Sequence, residues 1–150
     1  MKFSLRDVTL KDEKLLLDWR NDLEARRWSF KKKSILLSEH RKFFKKKISK
    51  KNYFMWIFLF NNKPSGLVRI SIEGNKAILS YLISKDYRGK KLSSIMLKLA
   101  VKKICKKFPK IIIFALTKSE NKVSIKSLLR AGFVINGMEK NKKIYMRKCV

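Results

Sequence analysis

The sequence predicts a mixed α/β domain, with a central, mostly antiparallel twisted sheet of about seven strands and helices on both faces. Two observations support this fold class. The apolar segments follow the order strand, two helices, three strands, helix, strand, helix, two strands. A helix joins the fourth strand to the fifth, and such a crossover makes the two strands parallel. We see no repeat, linker or shift in composition, so we expect one domain over residues 1–150.

The first third of the chain predicts one strand and two helices. Residues 2–8 alternate as a half-buried strand, and Thr9 with Asp12 forms a loose capping box for the first helix. Residues 26–30 fit a short helix or a loop. Ser38 is the expected cap of a second helix that ends at residue 49. The expected inner faces are Leu15, Leu16, Leu17 and Trp19 on the first helix, and Phe43, Phe44 and Ile48 on the second.

The middle of the chain predicts three antiparallel strands. Tyr53–Phe60 is almost continuously apolar and aromatic, as expected for a strand covered on both faces. A turn at Asn61–Pro64 leads into the strand Gly66–Ile72, and a hairpin turn at Glu73–Asn75 leads into the strand Lys76–Ile83. Strands joined by such short turns form a meander.

The last part of the chain predicts a helix, a strand, a second helix and a hairpin. The first helix begins at Leu92 and ends before Pro109. The buried strand Ile111–Leu116 follows, then a loop and a helix that Gly132 terminates. Residues 133–149 form the hairpin. On the first helix Ile95, Met96, Leu99, Val101 and Ile104 face inward, and Lys98, Lys102 and Lys106 repeat every four residues on the solvent side.

The composition is that of a folded protein without a metal site. The 150 residues are 45% hydrophobic and 11% aromatic, which is too apolar for a disordered basic tail. No apolar run approaches the roughly 20 residues of a membrane helix, and the N-terminus lacks the apolar segment of a signal peptide. Cys105 and Cys149 show no metal-ligand or redox spacing, and His40 is the single histidine. We therefore expect reduced thiols, no bound metal, and a cytoplasmic monomer or homodimer.

The net charge of +28 comes from 30 lysines and 9 arginines against 11 acidic residues. The lysines are scattered in short clusters, among them Lys31–Lys33, Lys45–Lys47 and Lys50–Lys51. This pattern fits either a solvated surface or the attraction of anionic ligands, with nucleic acid bound only non-specifically. So large a positive charge disfavours a strongly basic substrate.

The polar turn between the strand 78–83 and the following helix is the strongest functional signal. The first N–H groups of a helix have no partner within it, and the helix dipole favours an anion there. The turn supplies the small residues Gly89, Ser93 and Ser94 and the cations Arg88, Lys90 and Lys91. These residues are equally compatible with a pyrophosphate site and with a strand-to-helix turn whose cations are only solvated.

Two motifs resemble those of the GNAT superfamily of N-acetyltransferases. The segment 88–93 is similar to its Gln/Arg-x-x-Gly-x-Gly/Ala loop, with Lys91 in place of the middle glycine. The segment 121–133 resembles its Asn-x-x-Ser-x-x-Leu-Tyr-x-Lys-x-Gly-Phe motif, with Leu128 in place of the tyrosine. The resemblance implies the GNAT fold and acetyl-CoA as co-substrate. It assigns cofactor binding to Leu82, Ile83, Arg88, Gly89, Lys90, Lys91, Leu92, Ser93, Ser94, Asn121 and Ser124.

The mechanism implied by this resemblance is direct acetyl transfer to a neutral amine. Backbone N–H groups of Leu82 and Ile83 hold the acyl oxygen. His40 is a candidate base or substrate partner, or else an exposed helix residue. The departing thiolate then takes a proton. The source is either solvent, which is sufficient because a thiol's pKa is already low, or a hydroxyl that replaces the missing tyrosine. The candidate hydroxyls belong to Tyr81, Ser124, Ser127 and Tyr145.

In the amino half, the segments Trp19–Asp22, Ser29–Phe30 and Glu39–Phe44 carry a further resemblance. They are similar to a GNAT subgroup that acetylates the 4-amino group of nucleotide-linked deoxyamino sugars on routes to pseudaminic acid. The resemblance implies substrate binding by Arg20, Asn21, Arg27, His40 and Arg69. An anionic UDP-sugar also suits the positive net charge.

Three alternatives stay open at this point. The acceptor could be a protein N-terminus of the ribosomal type or another small amine. The chain could be a nucleic-acid-binding module, although such modules cluster arginine with aromatic residues. It could also be a degenerate member that binds the cofactor without catalysis.

Overall fold

Seven strands form one mixed sheet in the computed structural model, which describes residues 1–30 and 34–149; the cluster Lys31–Lys33 lies outside this part. The order of strands across the sheet is β1-β2-β3-β4-β5-β7-β6. The strands are β1 Phe3–Asp7, β2 Tyr53–Phe60, β3 Lys63–Glu73, β4 Lys76–Ile83, β5 Ile112–Lys118, β6 Val134–Glu139 and β7 Lys142–Lys148. The helices are α1 Glu13–Asn21, α2 Leu23–Trp28, α3 Leu37–Ile48, α4 Leu92–Lys107 and α5 Lys122–Arg130.

The predicted meander and crossover are confirmed. Strands β1 to β4 pair antiparallel in sequence order, and β4 pairs parallel with β5. The β4–β5 pairing joins only Lys76–Leu79 to Ile112–Ala115, although both strands continue. The second half of β4 and the end of β5 therefore separate and leave a gap in the middle of the sheet.

Each face of the sheet buries its own apolar cluster, because side chains alternate along a strand. The larger cluster lies beneath α4 and α5 and includes Trp56, Val68 and Met96. The smaller one lies beneath α1 and α3 and includes Leu16 and Phe44. Helices thus cover both faces, as predicted. Within the described residues no helix is both long and apolar enough to cross a membrane.

The predicted turn at Asn61–Pro64 is shorter than expected, because β3 already begins at Lys63. Pro64 pairs with Leu59, whereas Gly66 pairs with Phe58, so the register shifts between them. Proline donates no hydrogen bond, and a bulge is one of the few places where a strand accepts it. The bulge therefore explains why a sequence turn signal lies inside a strand.

The predicted N-cap of the second long helix is wrong. The predicted capping box of Thr9 and Asp12 is present, but it belongs to the short 3-10 helix Leu10–Asp12 that precedes α1. Helix α3 begins at Leu37, and its N-cap residue Leu36 makes no side-chain cap hydrogen bond. Ser38 therefore lies inside the first turn. Near the N-terminus, the Thr9 N–H donates to Asp12 Oδ2 at 2.8 Å, as a capping box requires.

The expectation of reduced thiols is also wrong, since a disulfide joins Cys105 to Cys149. Cys105 lies on α4 and Cys149 directly follows β7, 44 residues further along the chain. The fold brings their Cα atoms to 5.6 Å, which is within the range that a disulfide spans. Only the tertiary packing of α4 against the sheet reveals this pairing, because the sequence spacing carries no signature.

Candidate functional site

The gap between β4 and β5 exposes backbone donors of β4. The Ser84 N–H donates to the Ser65 carbonyl of β3 at 2.9 Å. Because successive N–H groups of a strand alternate in direction, the Leu82 N–H also points toward β3, and the Ile83 N–H points into the gap. Of the two donors predicted for an acyl oxygen, this geometry leaves Ile83 and directs Leu82 into the sheet.

The N-terminus of α4 lies beside this gap and presents unpaired N–H groups. No side chain caps it, and its first turn contains no acidic residue. The preceding turn reaches positive φ at Gly89 (76°) and at Lys91 (59°). Lys91 therefore adopts the left-handed conformation that a glycine takes more easily. The resulting concave, uncapped turn fits an anion such as a pyrophosphate.

Arg88 braces this turn rather than extending into solvent. Its Nε donates to the Ile83 carbonyl at 3.0 Å, and its Nη1 lies 2.7 Å from Asp22 Oδ2. Asp22 also accepts from the Ala25 N–H and so caps α2. Burial raises the pKa of Asp22, but the bond to Arg88 and the N–H donors lower it more, so the net pKa lies below the ordinary value. No sequence signal indicated Asp22 as the partner of Arg88.

Hydroxyl groups line the side of the gap that faces α4 and α5. The Tyr81 hydroxyl is hydrogen-bonded to Ser124 Oγ, and Ser93 Oγ lies 2.5 Å from Ser127 Oγ. Burial raises the pKa of Tyr81 to about 12, although hydrogen bonds with Ser124 and Ser127 oppose this. Tyr81 thus keeps its proton at physiological pH. Asn121 Oδ1 accepts from the Ser124 N–H and so caps α5.

Two further hydroxyls in this region are buried without a hydrogen-bond partner among the described residues. They belong to Thr117 and Tyr145, which lie on neighbouring strands. Such groups are uncommon in a folded protein and are often found where a ligand or water binds. Leu128, at the position of the missing motif tyrosine, is fully buried. Tyr145 was a candidate from the sequence, whereas Thr117 was missed.

The opposite face of the sheet carries two arginines that approach each other. Arg20, in the last turn of α1, lies over the Phe43 ring at 5.2 Å. Burial, then repulsion by Arg69, lowers the pKa of Arg20 to about 10. Arg69 Nε is buried without a partner, and no ion pair within the described residues involves either arginine. We call Arg20 and Arg69 the arginine pair.

Two other predicted substrate residues are engaged elsewhere. The Asn21 side-chain amide donates to the Ile35 carbonyl at 2.9 Å and accepts from the Ile35 N–H at 2.7 Å. Arg27 is exposed, lies 3.5 Å from Glu24 in an ion pair and stacks over Trp28. The structure therefore brings Arg20 and Arg69 together but keeps Asn21 and Arg27 out of that cluster.

His40 is buried between α1 and α3, so the alternative of an exposed helix histidine is wrong. Only 2% of the residue is exposed, and its Nε2 donates to the Glu13 carbonyl at 2.9 Å. Its ring stacks on Phe44, and its Nδ1 has no hydrogen-bond partner in the part of the chain that the structure describes. Burial, partly opposed by the Glu13 bond, lowers the pKa of His40, so the ring is neutral at pH 7. The ring therefore packs between Glu13 of α1 and Phe44 of α3 rather than facing solvent.

Comparisons with known proteins agree on the fold. Residues 2–134 match the family model described as the acetyltransferase (GNAT) domain. No curated protein matches the sequence. Among solved structures, aminoglycoside acetyltransferase AAC(6')-Ib with ribostamycin and coenzyme A is similar at 16% identity and a TM-score of 0.86, covering 99% of this chain and 94% of that one.

Two further structures show the same fold at low identity. The ribosomal L7/L12 alpha-N-protein acetyltransferase RimL, with coenzyme A, gives 15% identity and a TM-score of 0.86 over 99% of this chain and 95% of that chain. Spermidine N-acetyltransferase from Vibrio cholerae, with coenzyme A and spermine, gives 15% identity and a TM-score of 0.84 over 96% of this chain and 92% of that chain.

Proposed function

Because the chain belongs to the GNAT family and is thus an acetyl-CoA-dependent N-acetyltransferase, we propose that its acceptor is an amine on an anionic molecule. More narrowly, we propose the 4-amino group of a UDP-linked deoxyamino sugar. The observation that carries this proposal is the arginine pair. Two half-buried guanidinium groups without a carboxylate bind an anion far better than they bind a polyamine or an aminoglycoside, which are cations.

The cofactor end of the site fits acetyl-CoA, which supplies the acetyl group and leaves as a thiol. The uncapped N–H groups of Leu92, Ser93 and Ser94 and the exposed Lys90 and Lys91 suit its pyrophosphate. The role of Arg88 is to hold this turn against the end of β4 and against Asp22. The cofactor therefore meets a loop that is already shaped for phosphate.

The Ile83 N–H and the Tyr81 hydroxyl supply the chemistry at the end of the gap. The neutral amine forms a bond to the acetyl carbon, and the Ile83 N–H stabilises the oxyanion that develops. The carbon–sulfur bond then breaks, and Tyr81 gives its proton to the departing thiolate. The amine loses its proton to solvent, and the Tyr81 oxygen takes a proton back from solvent. Tyr81 suits this role because its pKa of about 12 keeps it protonated, and Ser124 holds its hydroxyl.

His40 is assigned a positioning role in this proposal. Its bond to Glu13 fixes α3 against α1, the helix that carries Arg20. His40→Ala is expected to raise the KM of the acceptor about tenfold through displacement of Arg20, with kcat at saturation little changed. An unchanged rate at both low and saturating acceptor would remove His40 from the mechanism.

The direct test is release of coenzyme A thiol from acetyl-CoA with a panel of acceptors. The panel contains a UDP-4-amino-4,6-dideoxy sugar, a basic ribosomal-type peptide and spermidine. We expect release with the UDP-sugar alone. Release with the peptide or spermidine and not with the sugar would overturn the anionic acceptor and favour a protein N-terminus or a small amine.

A further inference from the structure

A second basic feature lies on the face of the sheet that α4 and α5 cover, in a cleft of about 660 Å³ between α4, the end of α5 and β7. Its centre is at Lys102, about 16 Å along α4 from the turn that fits the pyrophosphate. We call it the basic cleft, after its cations Lys98, Lys102, Lys106, Arg130 and Arg147. It is separate from the gap between β4 and β5 and from the arginine pair.

The basic cleft is enriched in cations even for this chain. Five of the nine residues that line it are lysine or arginine, against 39 of 150 in the whole sequence. None of the nine is acidic, and α4 contains no acidic residue. No ion pair within the described residues involves any of the five cations. The positive charge is therefore both concentrated and uncompensated.

Helix stability explains only part of this arrangement. A cation near a helix C-terminus interacts favourably with the helix dipole, which accounts for Lys106 on α4 and Arg130 on α5. Lys98 and Lys102 lie in the middle of α4, four residues apart, where like charges repel each other and weaken a helix. Their alignment along one wall of the cleft is thus a feature that folding does not favour.

The walls of the cleft are held in place. Arg147 Nη1 donates to the Ala131 carbonyl at 2.9 Å. Next to it, Gly132 has a φ of 90°, and a Cβ added there would lie 3.1 Å from Arg147 Nε. The disulfide between Cys105 and Cys149 ties α4 to the end of β7. The backbone segments that carry the lysines and Arg147 are therefore held together.

We propose that the basic cleft binds a small molecule that carries several phosphate groups. Its volume lies within the range of about 300–1,000 Å³ typical of small-molecule sites. Several cations around one concave space suit a ligand with several negative groups close together. Val101 and Ala131 add an apolar floor against which an organic part of the ligand packs.

Calorimetric titration with inorganic tripolyphosphate tests this site, with excess coenzyme A present so that the cofactor site is filled. The site variant is Lys98→Gln with Lys102→Gln. The control is Lys45→Gln with Lys46→Gln on the exposed face of α3, which removes the same charge. We expect the unmodified protein to bind tripolyphosphate at one saturable site. The Kd should rise about tenfold in the site variant and stay within about twofold in the control.

Three results would overturn the proposal. Equal weakening in the site variant and the control would show that tripolyphosphate follows the overall charge. Heat without saturation would show that no defined site exists. A site variant that raises the KM of acetyl-CoA but not that of its dephospho form would assign the cleft to the 3'-phosphate of the cofactor.

Discussion

Arginines near the candidate site have two different environments. Arg88 is paired with Asp22 at 2.7 Å and bonded to the Ile83 carbonyl, so its charge holds two segments of the chain together. Arg20 and Arg69 approach each other without a carboxylate, and repulsion contributes to the lowered pKa of Arg20. A paired guanidinium stabilises structure, whereas an unpaired, half-buried one keeps its charge for a ligand. In a chain with a net charge of +28, the presence or absence of a carboxylate partner therefore separates structural arginines from those that can bind a ligand.

The largest expected effect comes from removing the unpaired charges. Arg20→Gln with Arg69→Gln is expected to lower kcat/KM for the anionic acceptor about 100-fold, because hydrogen bonds to charged groups in a half-buried site are lost. The KM of acetyl-CoA should stay within about twofold. Steady-state kinetics with each substrate varied in turn measures both.

Arg27→Gln is the single-charge control for this variant, since Arg27 is exposed and already paired with Glu24. Arg27→Gln should leave both the kcat/KM of the anionic acceptor and the KM of acetyl-CoA within about twofold. An equal loss in the control would show that the acceptor responds to overall charge, and the comparison between paired and unpaired arginines would fail.

The next effect concerns the paired arginine. Arg88→Gln should raise the KM of acetyl-CoA about tenfold, because the turn before α4 loses its bonds to Ile83 and Asp22. Asp22→Asn should raise it less, since Arg88 keeps its bond to the Ile83 carbonyl. The double variant should resemble Arg88→Gln alone, because both changes break one interaction. Additive losses in a double-mutant cycle would contradict the bracing role.

Much of the fold could be predicted because it depends on local patterns. The bounds of β2 and β4 and the first residue of α4 were predicted to the residue, since long apolar runs and a clear turn mark them. The start of β3 could not be predicted, because the bulge that accommodates Pro64 depends on pairing with β2. The Cys105–Cys149 disulfide depends on packing between elements 44 residues apart.

The candidate site was less predictable than the fold, because its contacts join distant parts of the chain. The turn before α4 and the motif at Asn121 had sequence signals, and α4 and α5 do lie beside the gap. No sequence signal marked the bond between Arg88 and Asp22 or the buried hydroxyl of Thr117. The sequence also could not separate Arg20 and Arg69, which meet in space, from Arg27, which does not.

A smaller effect is expected at the hydroxyl of Tyr81. Tyr81→Phe should lower kcat about tenfold without changing the KM of acetyl-CoA, since the thiolate can still take a proton from solvent. Because the pKa of Tyr81 is raised to about 12, kcat of the unmodified enzyme should show no decline from this group below about pH 11. Tyr145→Phe tests the other tyrosine among the candidate hydroxyls. A larger loss of kcat in Tyr145→Phe than in Tyr81→Phe would remove Tyr81 from the proton transfer and assign it to Tyr145.

The smallest expected effect on catalysis is at a paired arginine of β1. Arg6 forms two bonds to Asp12, at 2.9 and 3.0 Å. Burial raises the pKa of Asp12, but Arg6 and the Thr9 N–H lower it more, so it is lower in the folded than in the unfolded state. This carboxylate therefore stabilises the fold above about pH 4, and the contribution is lost as the pH falls through the folded pKa.

Asp12→Asn should accordingly lower the free energy of unfolding by about 1 kcal/mol at pH 7, with a smaller deficit at about pH 3, and leave kcat/KM unchanged. Urea unfolding at the two pH values measures the stability, and the thiol-release assay measures the activity. A deficit that stays constant with pH would mean that Asp12 acts through its shape rather than its charge. A loss of activity without a loss of stability would contradict the rule that paired arginines serve the structure.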